Sequence, residues 1–411
     1  MPSFVEKPSG LPPGTPIREL LLACSRLALR EQDRAKVLSL LQSDLDWAAV
    51  LLEAERHGLE PLLHRHLSEI APGLVPNPVL VTLWTAHERR ARRNRAIGVE
   101  LQRVVGVLEG EGIGALPYKG PTLACLAYGD IGMRDFRDLD ILVPREDLQR
   151  AAGLLEASGY EAEFALSAPA MRALLRSPMH HHLVYRGKDA VVELHWATDP
   201  DHAVERRDAE WWRTRPRMPF MGGEARTFDA PELLHVLCLH GSRHRWSSLG
   251  WLVDIAEFLR GHEVDGERIA ARAREIGGER RLYLALRLAR DLLDAPIPVG
   301  VAAGCDRADV ASLAATITTE LFAAPVHNAW RDLGKELDLY EGGIRKARRT
   351  WQVIAAPNIA DWVRWPLPEP LFFLYVPLRL ARLAAKHLIR SPRTPAAATP
   401  RTPPPQPRST S

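Results

Sequence analysis

The run DFRDLDILVP, residues 135–144, constrains the fold most, because it sets two carboxylates inside an otherwise apolar segment. Its alternating pattern predicts a β-strand, in which successive side chains point to opposite faces. Asp138 and Asp140 then share one face, and the apolar residues share the other. A buried carboxylate is costly unless it is paired or binds a metal ion. We therefore expect this strand to border a cleft that contains a cation.

A second predicted strand, AVVELHW, contributes a third carboxylate. Glu193 shares one face with Val191 and His195. Taken alone, Glu193 fits a solvent-exposed edge strand equally well. If the two strands are neighbours, however, three carboxylates meet, as two-metal phosphoryl transfer requires. Mg²⁺ is the hard cation suited to such oxygen ligands.

The segment YKGPTLACLAYG lies between a short apolar strand and the two aspartates. Gly120 allows the backbone to approach a ligand closely. Pro121 suits the first turn of a helix, whose free N–H groups and dipole favour an anion. Lys119 adds a positive charge. A Lys-Gly-Pro turn alone is uninformative, but its position directly before the two aspartates indicates a phosphate site.

The rest of the chain divides by composition and periodicity. Apolar residues at helical spacing predict an N-terminal helical region over residues 17–110 and a C-terminal one over 229–390. Residues 111–228 alternate short strands and short helices, including two strands joined by a turn at RGKD. The Pro-rich segments 1–16 and 391–411 are expected to be disordered.

Two helical segments have an open interpretation. A long helix is predicted from Val79 to Glu109, and its basic cluster, residues 89–95, is interpreted as a solvated helix face. The segment LFFLYVPLRLARLAAKHLIR could lie on a membrane surface. A helix that closes the core of the last region is the preferred interpretation, because its cationic residues also suit an exposed face.

Composition excludes several classes of protein. A net charge of +3 over 411 residues gives no basic excess for nucleic acid or membrane binding. The four cysteines are far apart and are interpreted as reduced thiols. No apolar run is long enough to span a bilayer, and the N-terminus does not resemble a secretory signal. We expect a cytoplasmic protein.

These features resemble the nucleotidyltransferase superfamily that includes DNA polymerase β, and within it the bacterial group of uncharacterised nucleotidyltransferases. The matching parts are KG at Lys119 and Gly120, MRDFRDLDILVP, VELHW, and LHGSRHRWSSLGWLVDIAEFL downstream. The resemblance extends over residues 20–388. One departure is that Lys-Gly stands where the superfamily more usually has Gly-Ser, so a hydroxyl contact to phosphate is missing.

The resemblance implies an α+β fold: a polymerase β-like α/β core with a small mixed sheet, flanked by N- and C-terminal helical regions. It also implies a two-metal site in which Asp138 and Asp140 bind both Mg²⁺ ions. Glu193 would bind one ion and help activate the acceptor hydroxyl. The nucleotide triphosphate would be held by Lys119, Gly120, Arg134 or Arg137, and His195.

The expected activity is Mg²⁺-dependent transfer of a nucleoside monophosphate from an NTP to an acceptor hydroxyl or phosphate, with release of pyrophosphate. The acceptor could be a small molecule, a protein or a tRNA. The alternative is an antitoxin-like or partner-binding module with the same fold and little activity of its own. His240 and His244, four residues apart, are weaker candidates for a metal site.

Overall fold

The structure is a computed structural model that describes residues 10–177, 179–200, 207–323 and 329–389. In these ranges the chain is α+β and mostly helical, with a small mixed sheet, as expected. Five helices precede the sheet: α1 (Pro16–Cys24), α2 (Glu31–Leu40), α3 (Trp47–His57), α4 (Glu60–Ile70) and α5 (Asn77–Gly110).

The middle part contains the strands. Its elements are β1 (Leu116–Pro117), α6 (Gly120–Tyr128), β2 (Asp138–Leu142), α7 (Leu148–Ala157), β3 (Glu161–Ala162), α8 (Ala168–Arg176), β4 (His182–Arg186), β5 (Val191–His195), α9 (Ala209–Arg213), β6 (Arg217–Phe220) and β7 (Gly223–Arg226). The two strands expected on either side of RGKD are therefore present as β4 and β5. Strands β6 and β7 form a separate hairpin.

The regular elements that follow β7 in the described residues are helices. The elements are α10 (Ala230–Arg243), α11 (Leu249–Gly261), α12 (Gly266–Ile276), α13 (Glu279–Leu293), α14 (Ala302–Cys305), α15 (Ala308–Leu321), α16 (Ala329–Leu337), α17 (Gly343–Ala355), α18 (Ile359–Arg364) and α19 (Tyr375–Ile389). Local sequence defines their ends: the side chain of Asp229, for example, accepts a hydrogen bond from the Glu232 N–H and caps α10.

The main sheet has the strand order β1-β2-β5-β4-β3. Strands β2 and β5 are parallel, and their register places Asp140 opposite Glu193 and Leu142 opposite His195. Strands β4 and β5 are antiparallel, and their register places His182 opposite His195. Residues opposite each other lie on the same face of a sheet. The acidic positions of β2 and β5 are therefore neighbours.

Apolar packing explains why the acidic face of β2 and β5 borders the cleft. The other face of β2 and β5, including Leu139 and Leu194, is fully buried in a hydrophobic core shared with α5 and α7. A second core joins α1–α4 with α10–α15, so the N-terminal and C-terminal helices pack together. The helices thus cover one face of the sheet, and its polar face borders a cavity.

The predicted long helix is confirmed as α5, but its basic cluster is not simply a solvated face. Arg90 is only 8% exposed. It forms ion pairs with Glu60 and with Asp135, and Arg93 contacts Asp135 at 2.7 Å. The cluster therefore links α5 to α4 and to the segment that precedes β2. The interpretation as a solvated face was wrong for Arg90, because these acids come from segments distant in sequence.

The ends of the chain test few expectations. Residues 1–9 and the Pro-rich tail 391–411 lie outside the described residues. Within residues 10–15, the Leu11 N–H donates to the Phe322 carbonyl at 2.7 Å. Tyr375, at the start of α19, is buried, which agrees with the preferred interpretation of this segment as a helix that closes the core. In the described ranges, no helix combines the length and the apolar character needed to cross a membrane.

Candidate active site

The start of α6 is packed tightly against β2. Gly120 has a φ of +50°, a conformation that L side chains rarely adopt, and a Cβ there would lie 2.9 Å from the Asp138 carbonyl oxygen. Pro121 occupies the first turn of α6, as expected. Glycine was expected here for close approach to a ligand. The structure shows that close approach to the strand carrying the aspartates already requires it.

Lys119 neutralises Asp140. Its Nζ lies 2.5 Å from Oδ1 of Asp140, and both side chains are almost fully buried. Burial alone would raise the pKa of Asp140, but the charges and hydrogen bonds of Lys119 and His195 outweigh it and lower that pKa. Lys119 Nζ also lies 3.5 Å from Nδ1 of His240. The ammonium group is thus directed at side chains of the site.

His195 connects two carboxylates. Its Nε2 lies 3.1 Å from Oδ1 of Asp140 and 3.2 Å from Oε2 of Glu193, and the ring is buried. Burial lowers the pKa of His195, but the hydrogen bonds to both acids outweigh it and raise the pKa overall. Burial likewise opposes ionisation of Glu193, yet the hydrogen bond from His195 lowers the pKa of Glu193 to about 2. Ligand atoms of these three residues lie within 4.8 Å of one another.

Asp138 borders the same cleft but does not belong to that group of ligand atoms. Burial, and secondly the charge of Asp140, raise the pKa of Asp138 to about 6. A carboxyl group with a raised pKa indicates negative charge that its neighbours do not fully neutralise. Three carboxylates with one imidazole therefore fit a divalent cation in both charge and donor type.

A cleft of about 590 Å³ lies over this face. Besides Lys119, four arginines line it: Arg134, Arg137, Arg243 and Arg349. Arg137 is exposed and forms no ion pair with the described residues. Arg243 donates through Nη1 to Nε2 of His181, at 2.6 Å. Gly120, at the start of α6, also lines the cleft. The cleft therefore offers cationic groups and a helix N-terminus beside the carboxylates.

Arg134 borders the cleft, but its guanidinium has a partner within the protein. It donates to both carboxylate oxygens of Asp254 at 2.9 Å, and the hydroxyl of Tyr128 donates to the same carboxylate at 2.7 Å. All three groups are largely buried. The network joins α6, the segment before β2, and α11. Arg134 therefore pairs within the protein as well as bordering the cleft.

Two residues that line the cleft, His182 and Arg243, were not among the site residues predicted from the sequence. His182 lies opposite His195 across β4 and β5, and its Nε2 is 3.9 Å from Oε2 of Glu193. The signal was present in the hairpin: a turn that pairs Arg186 with Val191 also pairs His182 with His195. Arg243 had no comparable signal, because α10 reaches the cleft only through tertiary packing.

His240 and His244 line the cleft and pack against Trp251, with ring centroids 5.5 and 5.1 Å from that of the indole. Burial lowers the pKa of both imidazoles, in His244 to about 4. Neither belongs to a group of possible metal ligands among the described residues. Their contacts agree with a wall of the cleft rather than a metal site.

Comparison with known proteins identifies the family. A model of the family described as uncharacterised nucleotidyltransferase matches residues 43–294, more than half of the chain. No curated protein matches. The solution structure of the antibiotic-resistance factor ANT(2'')-Ia has a TM-score of 0.27 and 11% identity, and the match covers 46% of this chain and 88% of that one. This weak likeness carries no functional information. The family match alone shows that the chain belongs to the uncharacterised nucleotidyltransferase family, an enzyme family.

Proposed function

We propose that this enzyme transfers a nucleoside monophosphate from an NTP to an acceptor hydroxyl or phosphate, in a Mg²⁺-dependent reaction that releases pyrophosphate. The observation that supports it most is the parallel pairing of β2 and β5, which places Asp140 opposite Glu193. Asp138 lies on the same face of β2, and all three acids line one cleft. Carboxylates on adjacent strands are the arrangement that two-metal phosphoryl transfer uses.

Asp138, Asp140 and Glu193 would hold the Mg²⁺ ions. When bound, the metal would neutralise charge on the phosphates and favour ionisation of the acceptor hydroxyl. The protein holds two of these ligands in their ionised form. Lys119 and His195 stabilise the ionised forms of Asp140 and Glu193, so that these two acids need not lose a proton when the metal binds.

The phosphates would contact the cationic side of the cleft. Arg137 is free of ion pairs with the described residues and can donate to phosphate oxygens in bidentate fashion. The N–H groups at the start of α6 add a favourable dipole. Lys119 is less suited to gripping phosphate, because its ammonium already pairs with Asp140. Its proposed contribution is to hold the carboxylate in its ionised form.

A labelling assay tests the proposal. Full-length protein is incubated with Mg²⁺ and each α-³²P-labelled NTP, with small-molecule, protein or RNA fractions of a cell lysate as acceptor. Asp140→Asn removes the carboxylate charge at the centre of the site. Asp189→Asn makes the same change at an exposed position in the β4–β5 turn and serves as the matched control.

Label transferred to one fraction by the wild type and by Asp189→Asn, but not by Asp140→Asn, supports the proposal and identifies the class of acceptor. No label and no pyrophosphate release, together with a stable protein partner recovered from the same lysate, would instead favour the partner-binding alternative.

A further inference from the structure

Three imidazoles meet beside the carboxylates. The ring centroid of His181 lies 4.6 Å from that of His182 and 5.4 Å from that of His195, and the His182 and His195 centroids are 4.9 Å apart. One ligand atom from each of the three lies within 4.8 Å of the others. His195 also belongs to the group with Asp140 and Glu193. Five side chains able to bind a metal are therefore contiguous, with His195 at their centre.

The imidazoles carry buried polar atoms without partners. Nδ1 of His181, of His182 and of His195 is buried and makes no hydrogen bond within the described residues. His195 is only 1% exposed. In His182 and His195 it is Nε2, not Nδ1, that lies beside the carboxylate of Glu193, at 3.9 and 3.2 Å. Nε2 is therefore the atom that each of these two rings offers to an ion in the cleft.

The spacing of the polar atoms fits a metal ion. Neighbouring ligands about 2.0–2.2 Å from a zinc ion lie roughly 2.8–3.6 Å from one another, over octahedral and tetrahedral geometry together. Nε2 of His195 is 3.2 Å from Oε2 of Glu193, inside this range. Nε2 of His182 is 3.9 Å from the same oxygen, so a small rotation of a half-buried side chain would complete the set. His181 is less suited, because the Arg243 guanidinium already contacts its Nε2.

We infer that the cleft binds a divalent transition metal of the Zn²⁺ class through the imidazoles of His182 and His195 and the carboxylate of Glu193. Mixed imidazole and carboxylate ligands suit Zn²⁺ and its neighbours, whereas Mg²⁺ selects oxygen ligands. Asp138 and Asp140 remain beside this site as oxygen ligands for a second cation. The inference goes beyond the proposed Mg²⁺ site in metal and in ligands, and it can be tested without any transfer reaction.

Co²⁺ is the probe, because its visible absorption reports nitrogen ligands and tetrahedral or five-coordinate geometry. Chelator-treated full-length protein is titrated with Co²⁺, and with Zn²⁺ by calorimetry, in the presence of millimolar Mg²⁺. We expect one equivalent of either metal to bind, with a visible Co²⁺ band that Mg²⁺ does not remove. His182→Gln should weaken Co²⁺ binding by at least about 10-fold, the loss seen even for removal of an outer-shell partner.

Two further variants keep the test decisive. His180→Gln is the matched control: this ring faces Trp362 at 5.7 Å and is outside the group, so binding should be unchanged. His182→Cys replaces one ligand with another and should restore Co²⁺ binding with an added sulfur charge-transfer band. His182 is preferred to His195 for substitution because its side chain is 30% exposed, against 1%.

Absence of Co²⁺ binding, its removal by Mg²⁺, or equal binding by the wild type and His182→Gln would overturn the inference. Asp138→Asn separates this result from the proposed reaction. It should abolish nucleotidyl transfer and keep Co²⁺ binding, since Asp138 is outside both groups of ligand atoms. If Co²⁺ binds as expected but the wild type with Mg²⁺ transfers no nucleotide, the metal site would be established and the proposed reaction would be wrong.

Discussion

Lys119 and Asp140 form a buried ion pair at the junction of α6 and β2, with Nζ 2.5 Å from Oδ1. The side chains are 9% and 2% exposed. A charge buried this deeply depends on its partner, because neither water nor salt can replace it. The pair therefore makes the folding of the chain depend on the same carboxylate that the proposed reaction uses.

Replacing Lys119 with Met should lower the free energy of unfolding by about 3 kcal/mol, the usual cost of removing one partner of a buried ion pair. Urea denaturation measures the change. Adding Asp140→Asn to the same chain should recover part of the loss, since the buried carboxylate charge is then absent. Arg213→Met breaks an exposed pair with Glu210 and should have little effect. Additive losses in the double variant would show that the pair is not coupled.

Gly120→Ala should destabilise the protein by about 1–3 kcal/mol, because it combines a positive φ with a Cβ that would press on the Asp138 carbonyl. Gly153→Ala is the matched control. Gly153 lies inside α7 with open space around it, and alanine there should stabilise the helix by about 0.5–1 kcal/mol. Thermal unfolding of both variants tests whether Gly120→Ala lowers the stability while Gly153→Ala raises it. A neutral Gly120→Ala would mean that β2 can move away from α6.

The stability of the protein should fall as the pH is lowered below about 6.5, in part through His57. This ring is fully buried, and Nδ1 accepts a hydrogen bond from the Leu249 N–H at 3.1 Å. Burial, and secondly the charge of Arg56, lower the pKa of His57 to about 3. The unfolded chain takes up this proton near pH 6.5 and the folded chain does not, so stability is lost as the pH falls towards 3.

Between pH 7.5 and 5.5, His57 alone should remove on the order of 1 kcal/mol from the free energy of unfolding. In His57→Asn the amide oxygen can replace Nδ1 as the acceptor, while the titration is removed. Urea denaturation at both pH values should therefore show a smaller pH effect in this variant than in the wild type. An identical pH effect in both proteins would show that His57 titrates alike in the folded and unfolded states.

Asp254→Asn should destabilise the protein by about 3 kcal/mol, because Arg134 would lose its buried counter-ion. Tyr128→Phe removes one hydrogen bond from the same carboxylate and should cost about 1 kcal/mol. Chemical denaturation of both variants tests this order. An Asp254→Asn variant of normal stability but with a raised KM for the NTP would instead assign Arg134 to phosphate binding.

The sequence was sufficient for the parts of the site that depend on local pattern. Alternation correctly predicted that Asp138 and Asp140 share one face of β2, and that Glu193 and His195 share one face of β5. The pairing of those two strands is consistent with this pattern but does not follow from it. The local sequence also did not predict the partners of Lys119, since Asp140 and His240 lie next to it only after β2 and α10 have packed.

Charged residues were the hardest to interpret, because their partners lie far away in sequence. Nothing in the sequence around Arg134 predicts its ion pair with Asp254, which follows it by 120 residues. Arg90 lay in a cluster typical of an exposed helix, yet Glu60 and Asp135 draw it into the protein. Apolar periodicity predicts which face of an element is buried, but it says nothing about which charge another element will bring to that face.

The shared core of α1–α4 and α10–α15 has a consequence for the order of events during synthesis. The Leu27 N–H donates to Glu257, and Arg56 donates to the Leu321 carbonyl, so the first helices need contacts more than 200 residues away. While the ribosome is still making the middle of the chain, these helices lack the surface that covers them. The cleft, whose wall includes α10 and α11, is completed only afterwards. A nascent chain would thus carry its three acids without a finished site until α10 and α11 have been made, and contacts this long-range also favour slow folding.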